Sequence, residues 1–238
     1  MVQLEHVAEP RVSGWRVLVE SDRPAAEQMA IDARLAAQAM PAVRVFTWNQ
    51  PAVSLGYKQQ RPEWLVEASQ ELACVERPTG GGIAFHGSDV SIAVVVPQEL
   101  RLPLALLMRV AGRSALRLCQ SYGAPAVFSD GGARLAVTYC LAQQSPYAVS
   151  VGGRKIAGFA LRRYAQSWLI QGSLLVGPVP EPIGRRLPRP VREAMAGRAA
   201  SLSACVGREV NERNTARRWA DHWTAWWEED VIQALACA

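Results

Sequence analysis

The stretch YCLAQQSPYAVSVGGRKIAGFALRR, Tyr139 to Arg163, sets a single cysteine a short distance before a Gly-Gly turn that runs into a lysine. Tyr147, Val149 and Val151 alternate with small or polar residues, and Ile156 and Phe159 resume an apolar run beyond Gly152-Gly153. This pattern predicts two strands joined by a tight I′ or II′ turn, with Lys155 just past it on a short rigid arm. An unpaired cysteine commonly behaves as a small buried hydrophobe, and a lysine beside a turn is ordinarily solvated. Read as chemistry instead, Cys140 is a candidate nucleophile and Lys155 its electrophilic partner.

A second Gly-rich block upstream favours the chemical reading. In ERPTGGGIAFHGSDVSIAVVVP, Glu76 to Pro97, Arg77, Pro78 and Thr79 lead into Gly80, Gly81 and Gly82, then His86 and a β-rich apolar run. Three residues without side chains let a backbone approach a ligand closely and offer N–H groups to a phosphate or a developing oxyanion. The block is neither a P-loop nor a dinucleotide fingerprint, because no GK[ST] follows and the G-x-G-x-x-G spacing is missing.

The remaining sequence reads as α/β. Ser21 or Asp22 is the expected cap of a helix from about Pro24. Val43 to Trp48 and Ala52 to Tyr57 read as short strands around Asn49-Gln50-Pro51, Val90 to Val96 as a buried strand, and Ser167 to Val176 as a further one. Leu102 to Tyr122 has helical periodicity and stops at Gly123. Gly177 to Arg198, rich in Pro and Arg, is expected to be a connecting loop and then a short helix, with a lid over the site as the alternative. A terminal helix is expected over about 211–235, with Trp219, Trp223 and Trp226 forming a core-docking stripe.

Bulk properties bound the function. A chain of 238 residues with 50% hydrophobic content suits one domain over 1–238 with a sizeable core. The five cysteines, Cys74, Cys119, Cys140, Cys205 and Cys237, form no C-x-x-C pair, and only His6, His86 and His222 accompany them, so no metal site is expected. The N-terminus MVQLEHVAEPRV has no basic-then-apolar signal, and no apolar run is long enough to span a bilayer, so a cytoplasmic protein with reduced thiols is expected, with no membrane partner. The formal charge of +5 asks for an acidic partner, but the arginines are dispersed without interleaved aromatics, which argues against nucleic acid.

FTWNQPAVSLGYKQQ (Phe46 to Gln60), RPTGGGIAFH (Arg77 to His86) and GGRKIAGFALRR (Gly152 to Arg163) stand in the order and spacing of the biotin/lipoate protein ligase and lipoyl/octanoyltransferase superfamily, which this chain resembles. AAEQMAIDARL (Ala25 to Leu35) and ASLSACVGREV (Ala200 to Val210) extend the likeness over most of residues 21 to 212. Within the superfamily, Cys140, Pro146, Tyr147 and Arg154-Lys155-Ile156 resemble the Cys-dependent octanoyltransferases of the ligase-like type. ATP-using lipoate ligases usually have Asn-Asp where this chain carries Ala148 and Val149. The chain departs from the pattern at Glu76, where many relatives have a second arginine, at Phe159 in place of Ser, and at Leu161 in place of Gln, which affects tunnel width and partner orientation.

The resemblance implies an α/β (α+β) catalytic domain of the biotin/lipoate ligase type, with a mixed, largely antiparallel sheet flanked by helices and no separate accessory domain. It implies an acyltransferase that moves an octanoyl or lipoyl group from an acyl carrier thioester to a lysine of a lipoyl domain through a Cys140 acyl-enzyme, without a cofactor. The implied partners are acyl carrier protein and the lipoyl domains of 2-oxoacid dehydrogenases or the glycine-cleavage H protein. Lys155 would donate to the acyl carbonyl, and Arg77, Thr79, Gly80, Gly81, Gly82, His86 and Gly158 would shape the substrate site, His86 more as a structural group than as a base. The alternative is an ATP- and Mg-dependent lipoate or octanoate ligase acting through an acyl-adenylate.

Overall fold

Strand β1 (Arg16–Arg23) and helix α1 (Ala25–Gln38) lead into β2 (Ala42–Trp48), and three short strands follow, β3 (Ala52–Leu55), β4 (Ala73–Glu76) and β5 (Ala84–His86), with α2 (Glu63–Ala68) between the first two. The buried run expected around Val90 is β6 (Asp89–Pro97), all nine residues of which are buried. Helix α3 (Leu104–Ser121) crosses to β7 (Ala126–Phe128), then β8 (Val149–Val151), β9 (Arg154–Arg163) and β10 (Ser167–Leu175) complete the strands. Four helices end the chain: α4 (Glu181–Arg186), α5 (Arg189–Arg198), α6 (Leu202–Val206) and α7 (Glu212–Ala236). The computed structural model describes residues 14–68, 70–130, 138–143 and 145–236, so the expectations about His6 and Cys237 lie outside the described residues.

Two sheets result. The larger has seven strands in the order β1-β2-β6-β10-β9-β8-β7, and the smaller three in the order β4-β3-β5. Only β1 with β2 and β3 with β4 pair in parallel among the described ladders; the rest are antiparallel, as the mixed, largely antiparallel expectation requires. Side chains alternate across the large sheet. On β10, Ile170 and Leu174 join the core that α3 and α7 cover, while Leu169 joins the core under α1, and Gln171 and Ser173 reach a cavity between the two sheets.

Four local expectations are corrected. Ser21 and Asp22 belong to β1, so neither caps α1; Pro24 takes the N-cap position with no side-chain bond, its fixed φ serving the entry instead. The second short strand ends at Leu55, before the turn at Tyr57. Gly177 to Arg198 is largely helical, because Pro182 and Pro190 sit in the first turns of α4 and α5, where a missing N–H breaks no helical bond. On α7 the fully buried stripe is Trp219, Trp223 and Trp227, and Trp226 is half-buried beside it. The stripe drifts that way because Trp15 packs edge-on against Trp223 and Trp227, with ring centroids 5.8 and 4.9 Å away.

Candidate active site

The Gly-Gly turn forms as expected, with Gly152 at φ 55° and Gly153 at φ 73°. Positive φ at both central residues selects the I′ form. Lys155 then leaves the turn inward, only 1% exposed, the opposite of a solvated turn lysine. Its Nζ donates to the Ser145 hydroxyl at 2.7 Å and to the main-chain oxygen of Cys140 at 2.9 Å, and lies 3.7 Å from Cys140 Sγ. Cys140 itself is stitched to the small sheet, its N–H donating to the Ile83 carbonyl at 2.8 Å. The thiol therefore comes from a segment bonded just ahead of β5 of the small sheet, and the ammonium from β9 of the large one.

Gly158, one of the residues the resemblance singled out, is where the pair could not tolerate a side chain. A Cβ built there would stand 2.7 Å from Lys155 Cε, 2.9 Å from its Nζ and 3.3 Å from Cys140 Sγ. Around this point lies a partly enclosed cavity of about 100 Å³. Cys140, Lys155, Gly158, Arg77, Gly81, Gly82 and His86 all line it, while Thr79 and Gly80 stand behind the wall. Met29, Phe46, Trp48, Ile92 and Phe159 supply its apolar lining. Phe159, the departure from the family pattern, lies over Gly172, where a Cβ would be 2.3 Å from the ring; the glycine makes the room for the phenyl group that narrows the cavity.

The Gly triplet is held by its carbonyls. Arg77 Nη2 donates to the oxygens of Gly80 and Gly82, both at 2.7 Å, and Nη1 donates to the main-chain oxygen of Ser54 at 3.1 Å. Burial pulls the Arg77 guanidinium below its usual value, and the nearby Cys140 thiol works against that shift. Gly56 must be a glycine for the same loop, since a Cβ there would fall 2.0 Å from the Gly81 carbonyl oxygen. Thr79 donates through N–H and hydroxyl to Gln171 Oε1 at 3.2 and 2.7 Å, and Gln171 Nε2 donates to Asp32 Oδ2 at 2.6 Å. Asp32 also takes Arg44 Nη1 at 2.7 Å, so a fully buried polar chain runs from α1 to the Gly-rich loop. Burial pushes the Asp32 carboxyl up to about 6 against the opposing pull of Arg44.

His86 is 4% exposed and held on three sides. Nδ1 meets Asp89 Oδ2 at 2.9 Å, Nε2 meets Ser54 Oγ at 2.8 Å, and the ring stacks on Trp48 with centroids 3.9 Å apart. Burial alone would raise the Asp89 carboxyl, but His86 and the hydroxyls of Ser173 and Ser91 outweigh it and hold it below the usual carboxylate value. Burial pushes the Cys119 thiol up to about 12 and raises those of Cys74 and Cys205. Among the described residues no group of three or more His, Cys, Asp or Glu gathers as metal ligands, and no helix is long and apolar enough to cross a membrane.

Residues 24–224 match the family model of the lipoyl protein ligase A/B catalytic domain. The chain belongs to this family. A curated relative named octanoyltransferase LipM, from Symbiobacterium thermophilum, is 34% identical over 224 residues, covering 84% of this chain and 81% of its own. A second octanoyltransferase LipM, from Kyrpidia tusciae, is 28% identical, covering 87% and 85%. Among solved structures, a lipoate-protein ligase A bound with ATP superposes with a TM-score of 0.68 at 17% identity, covering 93% of each chain, which shows the shared fold. The likeness in sequence therefore runs to transferases, and the likeness in fold reaches the ligases as well.

Sequence reasoning missed Ser145, Ser54 and Gln171. Ser145 stands within the opening stretch and had a signal in the Ser-Pro step before Tyr147. Ser54 becomes legible once β3 pairs with β5, because Ser54 lies opposite Ala84 and thus one pleat from His86. Gln171 had no signal beyond being a polar residue in a mainly apolar strand that also carries Ser167 and Ser173.

Proposed function

We propose that this chain, an enzyme of octanoyl transfer in protein lipoylation, works through an acyl-enzyme at Cys140. The thiolate attacks the thioester of an octanoyl acyl carrier protein, the carrier thiol leaves, and a lysine amine of a lipoyl domain then takes the acyl group as an amide. The exchange of one thioester for another is nearly balanced in energy, so the reading calls for neither ATP nor Mg²⁺. The observation that carries it is Lys155 Nζ, 3.7 Å from Cys140 Sγ at the wall of an apolar cavity. There the ammonium can donate to the carbonyl oxygen as negative charge grows on it. Ala148 and Val149, where the resembling ligases carry Asn-Asp, are fully buried and apolar and offer a metal-bound nucleotide no ligand. The eight-carbon chain would gain roughly 0.8 kcal/mol per methylene buried against the aromatic lining. The reading takes the protein as cytoplasmic, with acidic carrier and lipoyl domains drawn to its +5 charge.

Incubation with octanoyl carrier protein in the absence of ATP, followed by intact mass and peptide mapping, tests the proposal. One octanoyl group on Cys140, transferable to a lipoyl domain, is expected. Loading of the lipoyl domain from free octanoate, ATP and Mg²⁺ that survives Cys140→Ser would overturn it in favour of the ligase.

A further inference from the structure

The tetrahedral adduct of acyl transfer carries its negative charge on one oxygen, and donors aimed at that oxygen set the rate. Lys155 supplies part of such a set. An ammonium has three N–H groups. One goes to the Ser145 hydroxyl at 2.7 Å and one to the main-chain oxygen of Cys140 at 2.9 Å. The third is left on the side where the Gln143 carbonyl lies at 3.5 Å and Cys140 Sγ at 3.7 Å.

Ser145 holds a donor that nothing in the resting site uses. A serine hydroxyl has two lone pairs and one hydrogen. Lys155 fills a lone pair, and because an ammonium has nothing to accept with, the hydroxyl hydrogen must turn away from Nζ. Among the described residues Lys155 is the hydroxyl's only partner, so no acceptor takes that hydrogen. Ser145 is half-buried and lines the same cavity as Cys140, Lys155 and Gly158, which is where the hydrogen has room to point. Accepting from a cation also polarises the O–H and makes it a stronger donor.

The same ammonium fixes the hydroxyl relative to the thiol. The carbonyls of Cys140 and Gln143 and the hydroxyl of Ser145 all face Nζ, so the chain from 140 to 145 wraps it. A Cβ on Gly158 would fall 2.9 Å from Nζ and 3.3 Å from Sγ, so the glycine keeps the ground before both atoms clear. The carbonyl oxygen of an acyl group on Cys140 stands two bonds from Sγ, within the space that Nζ and the Ser145 hydroxyl share.

We propose that Ser145 is a further catalytic residue, its hydroxyl donating to the oxyanion beside Lys155. The assignment rests on the Cys140 acyl-enzyme reading. In acylation the thiolate's electron pair bonds the acyl carbon and the carbonyl π pair moves onto oxygen, which takes hydrogen bonds from Ser145 O–H and Lys155 N–H. The pair then returns, the carrier C–S bond breaks, and the carrier leaves as thiolate. In transfer the lipoyl-domain amine bonds the same carbon and the oxygen is charged again between the same donors. The bond to Cys140 then breaks, with the amine's proton ending on the departing sulfur. Ser145 keeps its own proton throughout and serves both steps alike.

The test follows both steps. Octanoyl carrier protein acylates Cys140, and the decay of the isolated acyl-enzyme is measured on addition of a lipoyl domain. Ser145→Ala is expected to slow each step by about 10²-fold, while Ser145→Thr, which keeps the hydroxyl, holds most of the rate. Two readouts separate an oxyanion donor from a residue that only props Lys155. Alkylation of Cys140 by iodoacetamide builds no oxyanion, so its rate and pH profile should be nearly the same in Ser145→Ala as in the wild type. The infrared carbonyl band of the acyl-enzyme, isotopically labelled at the carbonyl carbon, should move to higher frequency in Ser145→Ala as a hydrogen bond is lost. Unchanged acyl transfer in Ser145→Ala would overturn the assignment, as would a fall matched by an equal loss of alkylation with the carbonyl band in place. A wild-type protein that takes no octanoyl group on Cys140 would bring down the acyl-enzyme reading and this assignment with it, a result distinguishable because it precedes any comparison with a Ser145 variant.

Discussion

Gly158→Ala puts one methyl group against Lys155 and Cys140. The new Cβ would stand 2.7 Å from Lys155 Cε, where ordinary contact begins at 3.4 Å, so the side chain must retreat by about 0.7 Å. A free lysine would yield at once, but this one is tied to Ser145 and Cys140 and is 1% exposed, so retreat breaks bonds that have no water to replace them. Gly158 lies inside β9 and has no positive φ, so the backbone accepts alanine and the overpacking costs about 1–3 kcal/mol of stability. The rate should suffer more than the fold. A donor displaced by a large fraction of an ångström loses most of its oxyanion stabilisation, and about 10²-fold in Cys140 acylation is expected. Stopped-flow acylation by octanoyl carrier protein, set beside a thermal unfolding curve, measures both. A variant that keeps the wild-type acylation rate with Lys155 still buried would refute the argument that this contact positions the ammonium.

Other outcomes follow from the same geometry. Cys140→Ala should abolish ATP-independent transfer, while Cys74→Ala should leave turnover near the wild-type rate, both read by lipoyl-domain mass. Lys155→Arg keeps the charge but not the reach to Ser145 and Cys140, so kcat should fall about 10²–10³-fold with the far-UV spectrum intact. Cys119, pushed up to about 12 by burial, should resist iodoacetamide at pH 8 until the chain is unfolded, as peptide mapping would show. Burial raises the Asp32 carboxyl from its ordinary 3.8 to about 6, so between those pH values the folded chain holds a proton that the unfolded chain releases. Its contribution to stability should therefore fall as pH rises from about 4 to 6 and stay flat above, seen as a wild-type minus Asp32→Asn difference in chemical denaturation.

Much of the site was legible because its chemistry sits in backbone-defined places. Gly152-Gly153 can make only a tight turn of positive φ, which fixes Lys155 in space, and the GGG block marks a close approach that Gly56 and Arg77 then explain. The buried strand around Val90 to Val96 was visible from its unbroken β-branched run. What stayed hidden depends on long-range pairing. No local pattern says that β3 leaves the large sheet to pair with β4 and β5, and without that pairing Ser54 is an ordinary strand serine. Helix α4 was hidden by the prolines around its start, where a loop was expected ahead of the short helix that is α5, and the Trp227 stripe by a partner, Trp15, more than 200 residues away in sequence.

Cys140 hangs from the small sheet by its bond to Ile83, and Lys155 projects from the large one. Neither layer alone contains an enzyme. Their 3.7 Å contact is a gauge of how the layers are docked, and it would lengthen at the first slip between them, while each sheet kept its own ladders. Gentle heating or low denaturant should then silence the thiol's reactivity before any loss of secondary structure.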